Sequence, residues 1–180
     1  MSVQLSIDQA SLDNITKQLD VLKVNVNRSA YSALMKVAFK IKSEAQNRLK
    51  GMGHVVTSRL RNSLHVQGEG SNIGDNKESY SDEKGKSYSS ILLTAALAKG
   101  EIAVGSNVEY ASSIELGSKP HIIEAKNKKA LSNGTVIFGK RVNHPGYVGD
   151  SFLYWAMKNV DVTKSTGDDM KENWAKFTTK

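Results

Sequence analysis

Hydrophobic and polar positions alternate briefly at the start of the chain, where Val3, Leu5 and Ile7 read as a short strand. The period then changes. Asp8 is placed to cap a helix carrying Leu12, Ile15, Leu19 and Leu22 on one face. A second, longer helix is expected to begin near residues 27–29. Its stripe is Ala30, Leu34, Val37, Ala38, Ile41, Ala45 and Leu49, and Gly51 stops it. Tyr31, Met35 and Phe39 form another stripe at i, i+4, i+8 on that helix. Its apolar surface is therefore broader than one packing face requires: either the helix is buried on two sides within the domain, or one side is kept for a neighbouring subunit.

Beyond Gly51-Met52-Gly53, Thr57 can cap a short helical turn through Ser63, and Leu64-His65-Val66 turns extended. Residues 68–88 are polar, rich in Gly and Ser and almost without aliphatic side chains, which predicts a long loop or an arm that orders on assembly. Residues 90–97 and 101–105 flank Lys99-Gly100 as a hairpin, although the first piece does not alternate and could be helical. A short helix follows at 110–116, stopped by Gly117 and Pro120. Residues 121–124 and 135–142 read as a further hairpin, and Asp150 or Ser151 is expected to cap a helix with Phe152, Leu153, Trp155 and Ala156. These elements predict an α+β fold: one domain over residues 1–160, in which a long amphipathic helix packs on a small, mostly antiparallel sheet. A mobile loop at 68–88 and a C-terminal tail at 161–180, with Trp174 and Phe177 for interaction, complete it.

Charge changes this picture only locally. The net charge is +7, and residues 28–61 set Arg28, Lys36, Lys40, Lys42, Arg48, Lys50, Arg59 and Arg61 against Glu44 alone. Residues 119–141 set Lys119, Lys126, Lys128, Lys129, Lys140 and Arg141 against Glu124. Such concentrations suit either a solvated or subunit-facing surface or contact with a polyanion. The chain has no cysteine, so disulfides, thiolate metal sites and cysteine nucleophiles are excluded. No run reaches membrane-spanning length and the N-terminus lacks the regions of a signal peptide, so synthesis in a cytoplasm is expected.

Motifs that carry chemistry are absent or incomplete. Gly85-Lys86-Ser87 would need a glycine at Tyr80 to form a phosphate loop. Asp75, Glu78, Asp82 and Glu83 do not follow calcium-loop spacing. His54, His65, His121 and His144 never pair at i, i+4, and no G-x-S-x-G elbow occurs. His144 stands in H-P-G and reads as a turn histidine, since proline fixes one backbone angle and Gly146 permits the corner. No catalytic residue, metal ligand or cofactor site is expected.

Three stretches taken in order, V-V-T-S-R-L-R-N-S-L (55–64), V-G-S-N-V-E-Y-A-S-S-I-E-L-G-S-K-P-H (104–121) and V-N-H-P-G-Y-V-G-D-S-F-L-Y-W-A-M (142–157), resemble one family. It is the head-to-tail joining, or tail-completion, proteins in the necks of long-tailed bacteriophages. The family's first segment runs Val-Asp-Thr-Gly-x-Leu-x-x-Ser, and here Val56 and Ser58 replace the acidic residue and the glycine. With the upstream helix, the resemblance spans roughly residues 28–159.

It implies a structural virion component located in the neck, forming a ring, commonly sixfold, at the head-proximal end of the tail. Its partners would be its own copies, adjacent neck, tail-terminator or tail-tube proteins, and packaged DNA through non-specific contact at Lys126, Lys128 and Lys129. Tyr110, Glu115, Gly117, Pro120, His144, Pro145, Gly146 and Phe152 are the structural positions it singles out: Tyr110 and Phe152 as packing anchors, Gly117 and Pro145-Gly146 as turns. Glu115 is either paired with a nearby basic group or histidine, or a solvated helix carboxylate. The rival readings are a DNA-binding module without sequence specificity, an assembly factor absent from the finished particle, and a hydrolase using His144 and Glu115.

Overall fold

A computed structural model describes residues 8–53, 58–68, 79–89, 97–126, 129–132 and 135–178, with the backbone alone at 176–178. The strand expected at 3–7 lies outside them. The chain is α+β, with one long helix packed against small antiparallel sheets.

That helix, α1, runs unbroken over Gln9–Gly51. Asp8 caps it as expected, its carboxylate accepting the Ser11 N–H at 2.9 Å. The break expected near residues 27–29 does not occur. Nothing between Gln9 and Lys50 is glycine or proline. Asn25, Asn27 and Ser29 favour caps, but continuing the hydrogen-bond ladder through them costs only a few tenths of a kcal/mol each, about 0.5. Ser29 is buried, and its hydroxyl donates to the Met170 carbonyl at 3.3 Å. At about 1.5 Å per residue, α1 is roughly 65 Å long.

A one-turn helix, α2 (Arg59–Asn62), leads into β1 (His65–Gln67). Next come β2 (Ser79–Ser81) and β3 (Ser87–Ser89), an antiparallel hairpin. The Asp82 carboxylate closes its turn by accepting the N–H groups of Lys84 at 2.9 Å and Lys86 at 3.0 Å. The second half of the expected mobile loop is therefore ordered. Tyr80 is buried and stacks on Tyr88, its cross-strand partner, with ring centroids 5.4 Å apart. Two tyrosines supply the apolar area that aliphatic side chains do not. Residues 69–78 of that loop lie outside the description.

The next strand, β4 (Ala103–Gly105), pairs antiparallel with β1. Its expected hairpin partner, residues 90–97, lies almost wholly outside the described residues. Then follow α3 (Ala111–Leu116), β5 (Gly117–Ser118) and β6 (His121–Glu124). Next are β7 (Leu131–Ser132), β8 (Ile137–Gly139), β9 (Arg141–His144) and β10 (Tyr147–Val148). The expected second hairpin is present as two stacked pairings. β6 pairs with β9 from His121 opposite His144 to Glu124 opposite Arg141, and β7 pairs with β8 further out. A fifth pairing, β5 with β10, ties the hairpin to the body.

Two helices end the chain, α4 (Phe152–Asn159) and α5 (Val162–Thr178). The segment expected as a tail is thus a helix. Asp161 caps it, accepting the Lys164 N–H at 2.9 Å, and it lies along α1. Lys36 Nζ meets Asp169 at 3.2 Å and Glu172 at 3.8 Å, and Lys40 meets Asp169 at 3.8 Å. Trp174 is half-buried, while the side chain of Phe177 is outside the description.

The core gathers Ala45 and Leu49 of α1, Leu60 and Leu64, Tyr80, Val108 and Ala111, and Phe152 and Ala156 of α4. Phe152 is completely buried at its centre.

Candidate functional site

The residues singled out by sequence converge where α3 and β5 meet β10 and α4. The closeness of this junction is dictated by glycine. A Cβ on Gly149 would be driven into the carbonyl of Glu115, the amide of Gly117 and the carbonyl carbon of Leu116. A Cβ on Gly146 would stand 2.7 Å from the Ser118 carbonyl oxygen and 2.9 Å from the Pro120 nitrogen. Gly117 has φ +83, and its Cβ would run into the Tyr147 carbonyl. Two backbone stretches, 115–120 and 146–149, therefore pass one another at separations that no side chain permits.

Glu115 joins the two sides. Its carboxylate accepts the N–H of Leu153 at 2.9 Å and of Tyr154 at 3.0 Å. These are orphan donors of the first turn of α4. The expected cap, Asp150 or Ser151, does not perform this task. Ser151 sits at φ 47, ψ 45, a left-handed conformation without a side-chain cap, and its hydroxyl donates to the Glu115 carbonyl at 3.3 Å. The backbone amides of Asp150 and Ser151 are held by the carbonyls of Ile114 at 2.8 Å and Glu115 at 3.0 Å. Glu115 is thus neither paired with a base nor merely solvated; it is the N-terminal cap of a helix 37 residues downstream.

Asp150 faces the other way. Its carboxylate accepts the Tyr147 hydroxyl, and that bond, with a smaller contribution from burial, pushes the phenol up to about 12.

His144 lies opposite His121 with ring centroids 4.9 Å apart, and its Nδ1 accepts the Gly146 N–H at 3.1 Å. His121 Nδ1 is 2.8 Å from the Lys119 carbonyl, so it is the protonated nitrogen there. The corner holds its own histidine in place, as the H-P-G reading expected. The two groups a hydrolase would use, the Glu115 carboxylate and His144 Nδ1, are both occupied by backbone amides. Among the described residues there is no group of three or more His, Asp or Glu that could hold a metal. No helix among them is long and apolar enough to cross a membrane.

Tyr110 flanks the junction, 39% exposed, with Arg59 5.8 Å from its ring centroid. Arg59 was not foreseen from sequence. It lies 4.2 Å from the Tyr88 ring centroid and 3.0 Å from the Glu109 carboxylate, linking the β2–β3 hairpin to the start of α3. Gly149 was also missed, although a glycine three residues before a helix start could have flagged a close approach. Pro120 is at an exposed bend and Pro145 is exposed beside Gly146, which has φ +88. Tyr31, Met35 and Phe39 do not join the junction. They lie on α1, the first two half-buried and Phe39 37% exposed. Lys126 and Lys129 are exposed near the outer end of the β6–β9 pair, and Lys128 is outside the described residues.

What the arrangement leaves uncovered is apolar. Leu116 is 81% exposed, Ile137 76% and Val148 88%, with Ile122, Val136 and Phe138 about half exposed. No protein-family model matches the chain, and no curated protein or solved structure matches it either.

Proposed function

We propose that this chain is a structural joining subunit of the bacteriophage neck, a tail-completion protein that works by assembling with its own copies into a ring, commonly sixfold. One observation carries the reading. The three stretches that resemble the family are distant in sequence, yet all contribute to one core: Leu60 and Leu64 from the first, Val108 and Ala111 from the second, Phe152 and Ala156 from the third. Residues needed jointly for one framework are what a shared fold would preserve. Consistent with this, Ser58, standing where the resembled pattern has glycine, holds a left-handed φ of 55.

Assembly gives the uncovered surface a role. The arm formed by β6 to β9 projects Ile122, Ile137 and Phe138 to solvent, and Leu116 and Val148 continue that surface at its base. A ring closes through two different faces that meet head to tail, and apolar area of this kind is what such a contact buries. Lys126, Lys129 and Lys140 on the same arm would meet DNA phosphates without reading sequence.

Locating the subunit in purified particles by electron microscopy tests the reading. The expected result is density at the head-proximal end of the tail, and particle incorporation lost in Ile137→Asp with Val148→Asp while the isolated chain stays folded. A chain absent from finished particles overturns the structural role in favour of an assembly factor. Tight monomeric DNA binding that falls steeply with salt would instead favour the DNA-binding reading.

A further inference from the structure

Among the described residues, almost nothing covers the first eighteen residues of α1, positions 9–26. Leu12, Ile15, Leu19, Leu22 and Val26 are between 39% and 58% exposed. Their spacing is three, four, three, four, the a and d pattern of a coiled-coil seam. Local preference does not account for a helix here. Asn14, Ile15, Thr16, Val21, Val24, Asn25 and Val26 are middling or poor helix formers, and a segment of this length is marginal in water without packing.

The stripe continues without a break in register into Ser29 and Ala33, and from there to Val37, all three buried. In that lower half α5 supplies the cover, with Met170 on Ser29. One seam is therefore an established helix–helix contact over part of its length and bare over the rest. The positions flanking the bare part, Gln9, Ser11, Thr16, Gln18 and Asn25, carry no charge, and only Lys23 does. An identical seam can approach without like-charge repulsion along its edges.

From these observations we infer that residues 9–26 of α1 pack against a second copy of this chain, stripe to stripe. The inference rests on the reading of the chain as a self-assembling subunit and names one of its contacts. Two heptads are too short to hold two free chains together firmly, so this contact and the other interfaces between copies are each required for stable assembly.

Because the natural chain has no cysteine, single-cysteine variants of the full chain read the contact directly. Under mild oxidation Leu19→Cys should give disulfide-linked dimers at least about tenfold faster than Val24→Cys, which lies on the opposite face, because facing partners raise the effective concentration of the thiols. Leu19→Asp with Leu22→Asp should abolish higher oligomers in sedimentation, with the helical circular dichroism and thermal midpoint of the monomer unchanged. Equal cross-linking at both positions overturns the inference. Oligomers that survive the α1 double variant but are lost in Ile137→Asp also overturn it, while leaving the joining-subunit reading standing. A chain that stays monomeric at every concentration and is absent from particles overturns both.

Discussion

Removing the Glu115 carboxylate tests how the two halves of the junction are joined. It makes two charge-assisted bonds, at 2.9 Å to the Leu153 amide and 3.0 Å to the Tyr154 amide, and it stands at the positive end of α4. A hydrogen bond to a charged group contributes about 1.5–3 kcal/mol when shielded, and a helix cap about 1 kcal/mol. The Leu153 bond is partly buried and the Tyr154 bond is exposed, so water replaces much of the second. Glu115→Ala should therefore cost about 2–3 kcal/mol, which in a domain of this size lowers Tm by about 5–10 °C. Glu115→Gln keeps one acceptor oxygen and should cost about 1 kcal/mol. Urea unfolding gives the energies, and amide hydrogen exchange gives the location: Leu153 and Tyr154 should lose protection before the amides of α1. A Glu115→Ala loss below about 0.5 kcal/mol, or a glutamine variant as unstable as the alanine one, would refute the capping role.

Other substitutions follow from the same geometry. Gly149→Ala should destabilise by at least about 3 kcal/mol, because its methyl group meets only backbone, whereas Gly167→Ala in α5, with open space around it, should stabilise by about 1 kcal/mol; thermal melts of both separate crowding from glycine loss as such. At Ser58, glycine should be more stable than alanine by about 1 kcal/mol, since both lose the hydroxyl and only glycine accepts the left-handed angle freely; equal stabilities would remove the strain argument. Tyr147 should ionise late in a spectrophotometric titration, and Tyr147→Phe should remove that late step. Its folded value, about 12, lies above the ordinary 10.0, so the stabilisation from its bond to Asp150 is complete below pH 10 and lost as pH rises through 12.

Local signals in the sequence were read where one segment decides the outcome. Asp8 and Gly51 mark the ends of α1 because caps and stops act within a few residues. The corner at Pro145-Gly146 is visible for the same reason, whereas the partner of 121–124, expected at 135–142, is 141–144, because 137–139 pairs with 131–132 instead. The merging of two expected helices was not visible, because weak helix formers at 25–29 look like a boundary until Ser29 is seen to turn inward onto Met170. The pairing of Tyr80 with Tyr88 was hidden by a composition that resembles disorder. Glu115 reads from sequence as paired with a basic group or histidine, or as solvated, and its carboxylate instead accepts two backbone amides. Its bonds to Leu153 and Tyr154 span 38 and 39 residues, a distance at which spacing carries no information. Asp161 and the helix after it were legible in principle, as an acid three residues before Lys164, but a charge-balanced segment with few apolar residues drew the tail reading instead.

The same long-range pairing alters what the basic residues mean. Residues 28–61 look like a polyanion site when counted along the chain, yet Lys36 and Lys40 face Asp169, with Glu172 beside Lys36. Arg48 lies over Trp155 at 4.9 Å, and Arg59 is paired with Glu109. Much of that charge complements acids and aromatic faces of the fold itself. Among the described residues, Lys119, Lys126, Lys129 and Lys140 remain at the surface around an exposed arm, beside Ile137 and Phe138, while Arg141 is paired with Glu124. A surface that mixes apolar tips with lysines is suited to contact a protein first and phosphate second. The α1–α5 contact, in contrast, is bridged by ion pairs, so added salt should loosen α5 before it disturbs the core around Phe152.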